Sequence, residues 1–478
     1  MCRKTRDTDH FDETRDGSAR TRRRRRAART RRPQVELLES RTVLSAIPTV
    51  TLDLPSRAMI GETLQFTVGF DNTSPTDPGF GPYVDLFLPT IGADGAGAAL
   101  DDGVTFTSAT FLGTPVAATV LTFNGAGQAT HPYARTNTGA AVVVSGTPGN
   151  QLVVLQLPFG SFTADQRVAH IQVNAQLSNL ADLNTPLTIS ARGGFRYGDD
   201  ALDNPTTDPS IIGLTTGGSV TPKVIQLITT YVGPEDETAT GPNFPRQYRI
   251  DADIANGQTL TNLDLTQDLP PNLQFLLVNS TLAHGAPVST TALSTPSTST
   301  PGGTLTRRFS SVTGTTSTTD ATLIFSFYVP LNDAGGAPVI NAATGDDVVS
   351  LSDMCAHGDW TPTDGRDPAV RAVSDDLLVD HTLTNKSIAI QKSVAVATDV
   401  GATGPSPGDR LEYTLTFQIS DYFAFQNLAI TDLFSDGQRW DATFIPTLSV
   451  TEHGVTTVGP ILPANFTVAG NFAQIGRA

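Results

Sequence analysis

The stretch "GDRLEYTLTFQIS", Gly408–Ser420, decides the fold class. Leu411, Tyr413, Leu415, Phe417 and Ile419 take every second position, and polar residues stand between them. Strict alternation of this kind predicts a strand with one buried and one wet face. The same pattern appears twice upstream, as Leu64, Phe66, Val68 and Phe70, and as Tyr248, Ile250, Ala252 and Ile254. Strands with one wet face imply antiparallel sheets packed face to face as a sandwich.

The three strands belong to longer internal repeats. "IQLITTYVGPEDETATGPNFPRQYRIDADIANGQTLTNLDL", from Ile225, matches "IQKSVAVATDVGATGPSPGDRLEYTLTFQISDYFAFQNLAI", from Ile390. Both carry an ATGP turn (Ala239–Pro242 and Ala402–Pro405), a Tyr-led strand and an Asn-Leu pair. A looser copy opens at Pro55. The expected organisation is a head over 1–46, repeats over 47–220 and 221–385, and a shorter repeat over 386–478 that reads as incomplete. The remaining repeats of a longer polypeptide are therefore one expected partner.

Composition supports an all-β chain. Only 16% of the 478 residues are charged and 38% are hydrophobic, with abundant Thr, Ser, Gly and Pro. Residues 1–41 hold 14 Lys/Arg and 7 Asp/Glu, whereas the remainder holds 17 and 40. The head is thus basic (+7) and the body acidic (−23), which disfavours nucleic acid as a partner of the body. The run "TRRRRRAARTRR" reads either as a tail held open by self-repulsion or as a nuclear or nucleic-acid arm. No stretch is long and apolar enough for a membrane helix, and two cysteines exclude a disulfide framework.

Two resemblances add to this reading. "LESRTVL", Leu38–Leu44, is similar to the LEPR-XLL motif near the start of large exported bacterial proteins, with Ser40 in place of proline and Val43 in place of leucine. "GDRLEYTLTFQIS…NLAITDLFSDG" resembles the bacterial surface repeat called domain of unknown function eleven, and the isopeptide-forming domains of fimbrial proteins. The resemblances imply tandem Ig-like sandwiches on a secreted or cell-surface protein. They also imply a structural or adhesive, non-enzymatic role, with extracellular matrix, cell-wall or polysaccharide ligands.

Chemistry is sparsely signalled. There is no HExxH, P-loop or GxSxG, and "GADGAGAAL" from Gly92 lacks a strand-loop-helix setting. His10, His131, His170, His284, His357, His381 and His453 are scattered. "YGDDALDNPTTDP" and "HGDWTPTDGRDP" precede the second and third repeats and offer Asp199, Asp203, Asp208, Asp359, Asp364 and Asp367. Clustered carboxylates suit Ca²⁺, the one cofactor these loops suggest; the other reading is a solvated acidic turn in which Asp and Asn serve as turn residues. Lys392 shares the apolar parity of its strand, as Asp432 does on the next. They predict a buried or rim salt bridge, or a lysine snorkelling outward. The fimbrial resemblance implies instead an isopeptide pair, Lys392 as nucleophile and Asp432 as the polarising acid, with its acceptor Asn beyond residue 478. The alternative function is the non-catalytic part of a secreted polysaccharide-active enzyme, or a carbohydrate-binding protein.

Overall fold

The computed structural model describes residues 45–478 except 94–100, 203, 207, 234–237, 342–345, 352, 364–368, 378–380, 436, 453–454, 470–471 and 477–478. The head expected over 1–46, with the motif at Leu38–Leu44, lies almost wholly outside the described residues.

From Ser45 on, the described strands pair antiparallel except in two short parallel pairs, and pairing is confined to three spans. In the first, one sheet runs Pro48–Asp53, Thr63–Asn72, Ala169–Leu177, Val104–Phe111. The facing sheet runs Arg57–Met59, Thr216–Lys223, Leu187–Phe195, Pro82–Leu88, Gln151–Gln156, Ala117–Thr122. An added hairpin, Gln128–Arg135 with Ala141–Ser145, forms a second small core with Tyr83, Phe123, Leu152 and Val154.

The second span pairs Ile225–Gly233, Arg246–Ile254, Ala321–Tyr328 and Gln274–Ala283 in one sheet. Its partner sheet runs Thr291–Ser294, Gly303–Thr313, Thr259–Leu269, Met354–Trp360, Arg371–Leu377. The third span pairs Ile388–Thr398 with Arg410–Ile419, and Ala429–Leu433 with Phe472–Gly476. The first two spans are thus two-sheet β-sandwiches in tandem. Among the described residues no helix is long and apolar enough to cross a membrane.

Alternation holds in all three copies, but its depth differs. Leu64, Phe66, Val68 and Phe70 are buried, as are Tyr248, Ile250, Ala252 and Ile254. Leu411, Tyr413, Leu415 and Phe417 are only half-buried, and Ile419 is exposed. Val224, Ile225 and Leu227 are buried where the first span meets the second, so one apolar core runs from Ala46 to Leu383. The boundary expected after residue 220 falls inside strand Thr216–Lys223, and the one after 385 falls inside His381–Lys386. In the third span only Ala389, Phe434 and Ala473 are buried apolar residues among those described.

Candidate functional site

Lys392 and Asp432 come together as the strand parities require. Lys392 Nζ donates to Asp432 Oδ1 at 2.6 Å and lies 4.4 Å from the centre of the Tyr413 ring. The pair is at a rim, with side chains 38% and 15% exposed, so the inward-pointing lysine of the sequence reading is half in water. The sheet it belongs to has little covering it on that face, which is why alternation did not translate into burial.

Strand register also corrects the comparison between repeats. Lys392 pairs with Leu415, two positions after Tyr413, and the residue paired with the equivalent Ile250 is Thr229. Aligning the two copies by sequence alone puts Leu227 there instead. Asp268, the counterpart of Asp432, is displaced by one extra residue. Gln267 therefore takes the inward place and is fully buried, while Asp268 turns outward to accept from Thr304 Oγ1 at 2.5 Å. The second repeat thus has neither the lysine nor the inward acid.

Of the six aspartates proposed for Ca²⁺, Asp203, Asp364 and Asp367 lie outside the described residues. Asp199 and Asp208 meet through their side chains, and backbone N–H groups of Asp199 and Asp200 also donate to Asp208. Burial, followed by contact with Asp199, pushes the Asp208 carboxyl up to about 6. Asp359 sits within strand Met354–Trp360 and accepts from Asn262 Nδ2 at 2.9 Å. Among the described residues no group of three His, Cys, Asp or Glu side chains is placed to hold a metal ion.

No motif marked the joints as joints, although the ATGP turn Ala239–Pro242 forms part of the second one. Each joint is made the same way. A short early strand pairs in parallel with the strand that leaves the repeat: Arg57–Met59 with Thr221–Lys223, and Thr238–Ala239 with Asn385–Lys386. A corner of the following repeat then closes back on the linker, Ala255 N donating to Val224 O and Ser420 N to Ser387 O, both at 2.9 Å. At the first joint Arg57 Nη1 clasps both oxygens of Asp375 at 2.7 and 3.0 Å, and Leu227 N donates to the same carboxylate.

At the second joint the ATGP turn of one repeat receives the corner of the next. Thr240 Oγ1 and Ser420 Oγ are 2.7 Å apart, and Asp421 N donates to Thr240 O. Asn243 donates to Asp421 through its backbone N and Nδ2 at 2.9 and 2.8 Å. Gly241 has φ +122°, and a Cβ there would lie 2.2 Å from Asp421 Oδ2. Glycine is required on both counts.

Two buried polar clusters were also illegible. His131 Nε2 lies 2.8 Å from Asp85 Oδ1, Nδ1 accepts from Tyr133 N and Ala134 N, and Arg192 Nε donates to Asp85 Oδ2. This network fastens the added hairpin to its sheet. Near the first joint, burial and the carboxylates of Glu62 and Asp320 push Asp253 up to about 7. Both clusters join residues tens of positions apart, and local pattern carries no trace of them.

No protein-family model matches the chain, and no curated protein sequence matches it significantly. Among solved structures, full-length major pilin SpaD from Corynebacterium diphtheriae is 10% identical, covering 89% of this chain and 80% of its own, with a TM-score of 0.24. A single-residue variant of BcpA, the major pilin subunit of Bacillus cereus, is 10% identical over 76% of this chain and 84% of its own, at 0.23. ACE of Enterococcus faecalis, described as an MSCRAMM that binds its ligands by the collagen hug model, is 10% identical over 72% of this chain and 95% of its own, at 0.17. At such low scores the architecture rests on the strand pairing above.

Proposed function

We propose that this chain is a non-enzymatic, structural or adhesive segment of an exported bacterial surface protein, in which tandem sandwiches act as a spacer of defined geometry. The observation that carries this reading is the repeated joint. Two successive linkers use the same parallel strand pair and the same corner-to-linker hydrogen bond. The second adds the Asp421–Asn243 and Thr240–Ser420 contacts. A flexible tether needs none of these, since a polar linker alone separates domains. Matrix, cell-wall or polysaccharide ligands remain part of the proposal, as does Ca²⁺ at the Asp199–Asp208 loop. For Lys392 and Asp432 the proposal is an ion pair in this chain, and an isopeptide only where an Asn amide meets them.

Spin-label distance measurements across the second joint test the spacer reading. The native chain should give one narrow distribution, and Asp421→Ala should broaden it. A broad distribution in the native chain would remove the spacer role.

A further inference from the structure

At the base of the second joint lie three side chains almost wholly removed from solvent: Arg246 (1% exposed), Thr238 (1%) and Asn385 (0%). Thr238 and Asn385 stand opposite each other in the parallel strand pair. Arg246 reaches across both strands, its Nη2 donating to the carbonyls of Thr238 at 3.0 Å and Thr384 at 3.3 Å. Four buried atoms in this group have no hydrogen-bond partner: Arg246 Nε, Thr238 Oγ1, and Asn385 Nδ2 and Oδ1. Buried polar groups are almost always satisfied, so four orphans in one place call for an occupant.

The chemistry of the orphans selects it. Arg246 Nε–H and the Asn385 Nδ2 hydrogens can only donate, and the Thr238 hydroxyl can donate as well. The guanidinium is a desolvated cation whose hydrogen bonds among the described residues go to backbone carbonyls and not to a carboxylate. Burial lowers its proton affinity, and Tyr231 acts in the opposite direction. Water could fill the hydrogen bonds but leaves the charge uncompensated. An anion does both.

We propose that Arg246 Nε, Asn385 Nδ2 and Thr238 Oγ1 form a buried site for a small monovalent anion of the halide class, leaving Asn385 Oδ1 to a water bound beside it. The strands that carry these residues also carry the joint. Ala239, next to Thr238, donates its N–H to Gln418 of the third repeat at 3.1 Å. The anion therefore secures the surface on which the next repeat is seated. It does so whatever the joint serves, so failure of this proposal leaves the spacer reading standing.

The test uses the full chain. Melting is followed as chloride replaces gluconate at constant ionic strength, and crystals grown in bromide are examined by anomalous diffraction. The expected results are a saturable rise in Tm on the order of 2–4 °C and a bromide peak against Arg246 and Asn385. Thr238→Val and Asn385→Leu, which remove orphans without adding bulk or charge, should each abolish the chloride dependence. A native chain that melts independently of chloride, or a water in place of the bromide peak, overturns the proposal. So does loss of stability in the triple variant E235Q/D236N/E237Q without any chloride effect in the native chain, since those carboxylates would then supply the counter-charge.

Discussion

Asp253→Asn should stabilise the protein, and by an amount that depends on pH. Asp253 is 9% exposed and lies within the field of Glu62 from the first repeat and Asp320 from its own. Asp320 itself accepts from Ile254 N and Thr315 N, and His284 Nδ1 is 3.3 Å from it. Burial first, then the two carboxylates, push Asp253 from 3.8 to about 7. A raised carboxyl destabilises the native state only when it must ionise. The cost is absent below about pH 4, grows as pH rises, and is complete above about 7. At ~1.36 kcal/mol per pH unit the ceiling is about 4 kcal/mol. Residual solvent contact and screening reduce this to about 2 kcal/mol. The amide removes the ionisation, so the variant should gain about 2 kcal/mol at pH 8 and nothing at pH 4. Trp360 is 3% exposed and bonded to Gln258, and it reports on the second repeat. Urea denaturation followed by its fluorescence, with Trp440 replaced by Phe, gives the comparison at pH 4, 6 and 8. Parallel pH curves for the two proteins, or a variant weaker at pH 8, would refute the reasoning.

Arg57→Met leaves Asp375, 5% exposed, with only the Leu227 N–H, and should cost about 3 kcal/mol in the same assay; a cost near zero would deny the pair its part in the first joint. If Asp199 and Asp208 bind Ca²⁺, millimolar Ca²⁺ should raise Tm at pH 7.5, and chelator should reverse the rise. The effect should fade below about pH 6, where Asp208 holds a proton, and no shift at either pH would leave only an acidic turn. Lys392→Met should cost less than about 1 kcal/mol, because the ion pair is at a rim. The intact mass of the native chain should show no loss of ammonia, and a cross-linked Lys392 would contradict the ion-pair reading.

The fold class was legible because alternation is a local property. Each of the three strands read from period two is a strand, at Thr63–Asn72, Arg246–Ile254 and Arg410–Ile419. Burial depth was not legible, because it depends on which distant strands cover a face. Leu64 and Leu411 occupy similar patterns, yet one is 1% exposed and the other half-buried. The Lys392–Asp432 contact, across 40 positions, was readable because each residue shares the apolar parity of its own strand. His131 and Asp85, 46 positions apart, were not. Matching the repeats from Ile225 and Ile390 sets Leu227 against Lys392, whereas strand pairing sets Thr229 there, for a specific reason. The segment from ATGP to the Tyr-led strand is two residues longer in the third repeat, so one alignment cannot serve both of its flanks.

The two ATGP turns show how far identical sequence can diverge in use. In the second repeat the turn is held from outside: Asp421 of the next repeat takes the Asn243 donors and lies against Gly241. In the third repeat Ser406 stands at the place of Asn243, and the turn is held from within. Asp409 accepts from Val400 N at 2.8 Å, Ser406 N at 2.6 Å and Ser406 Oγ at 3.0 Å. Those donors hold the Asp409 carboxyl below its usual range. Gly404 has nothing near the position of a Cβ, whereas Gly241 has Asp421 there. The repeated element is thus a turn that requires one carboxylate, and the repeats differ in where it comes from. An aspartate supplied by the same repeat leaves the turn complete in itself. One supplied by the next repeat makes the turn a joint. Counted back from Tyr248 and Tyr413, Arg246 stands where the third repeat has Leu411, and none of Asn243, Phe244 and Pro245 is acidic, so the second repeat has no carboxylate of its own at the turn and takes the one that Asp421 supplies.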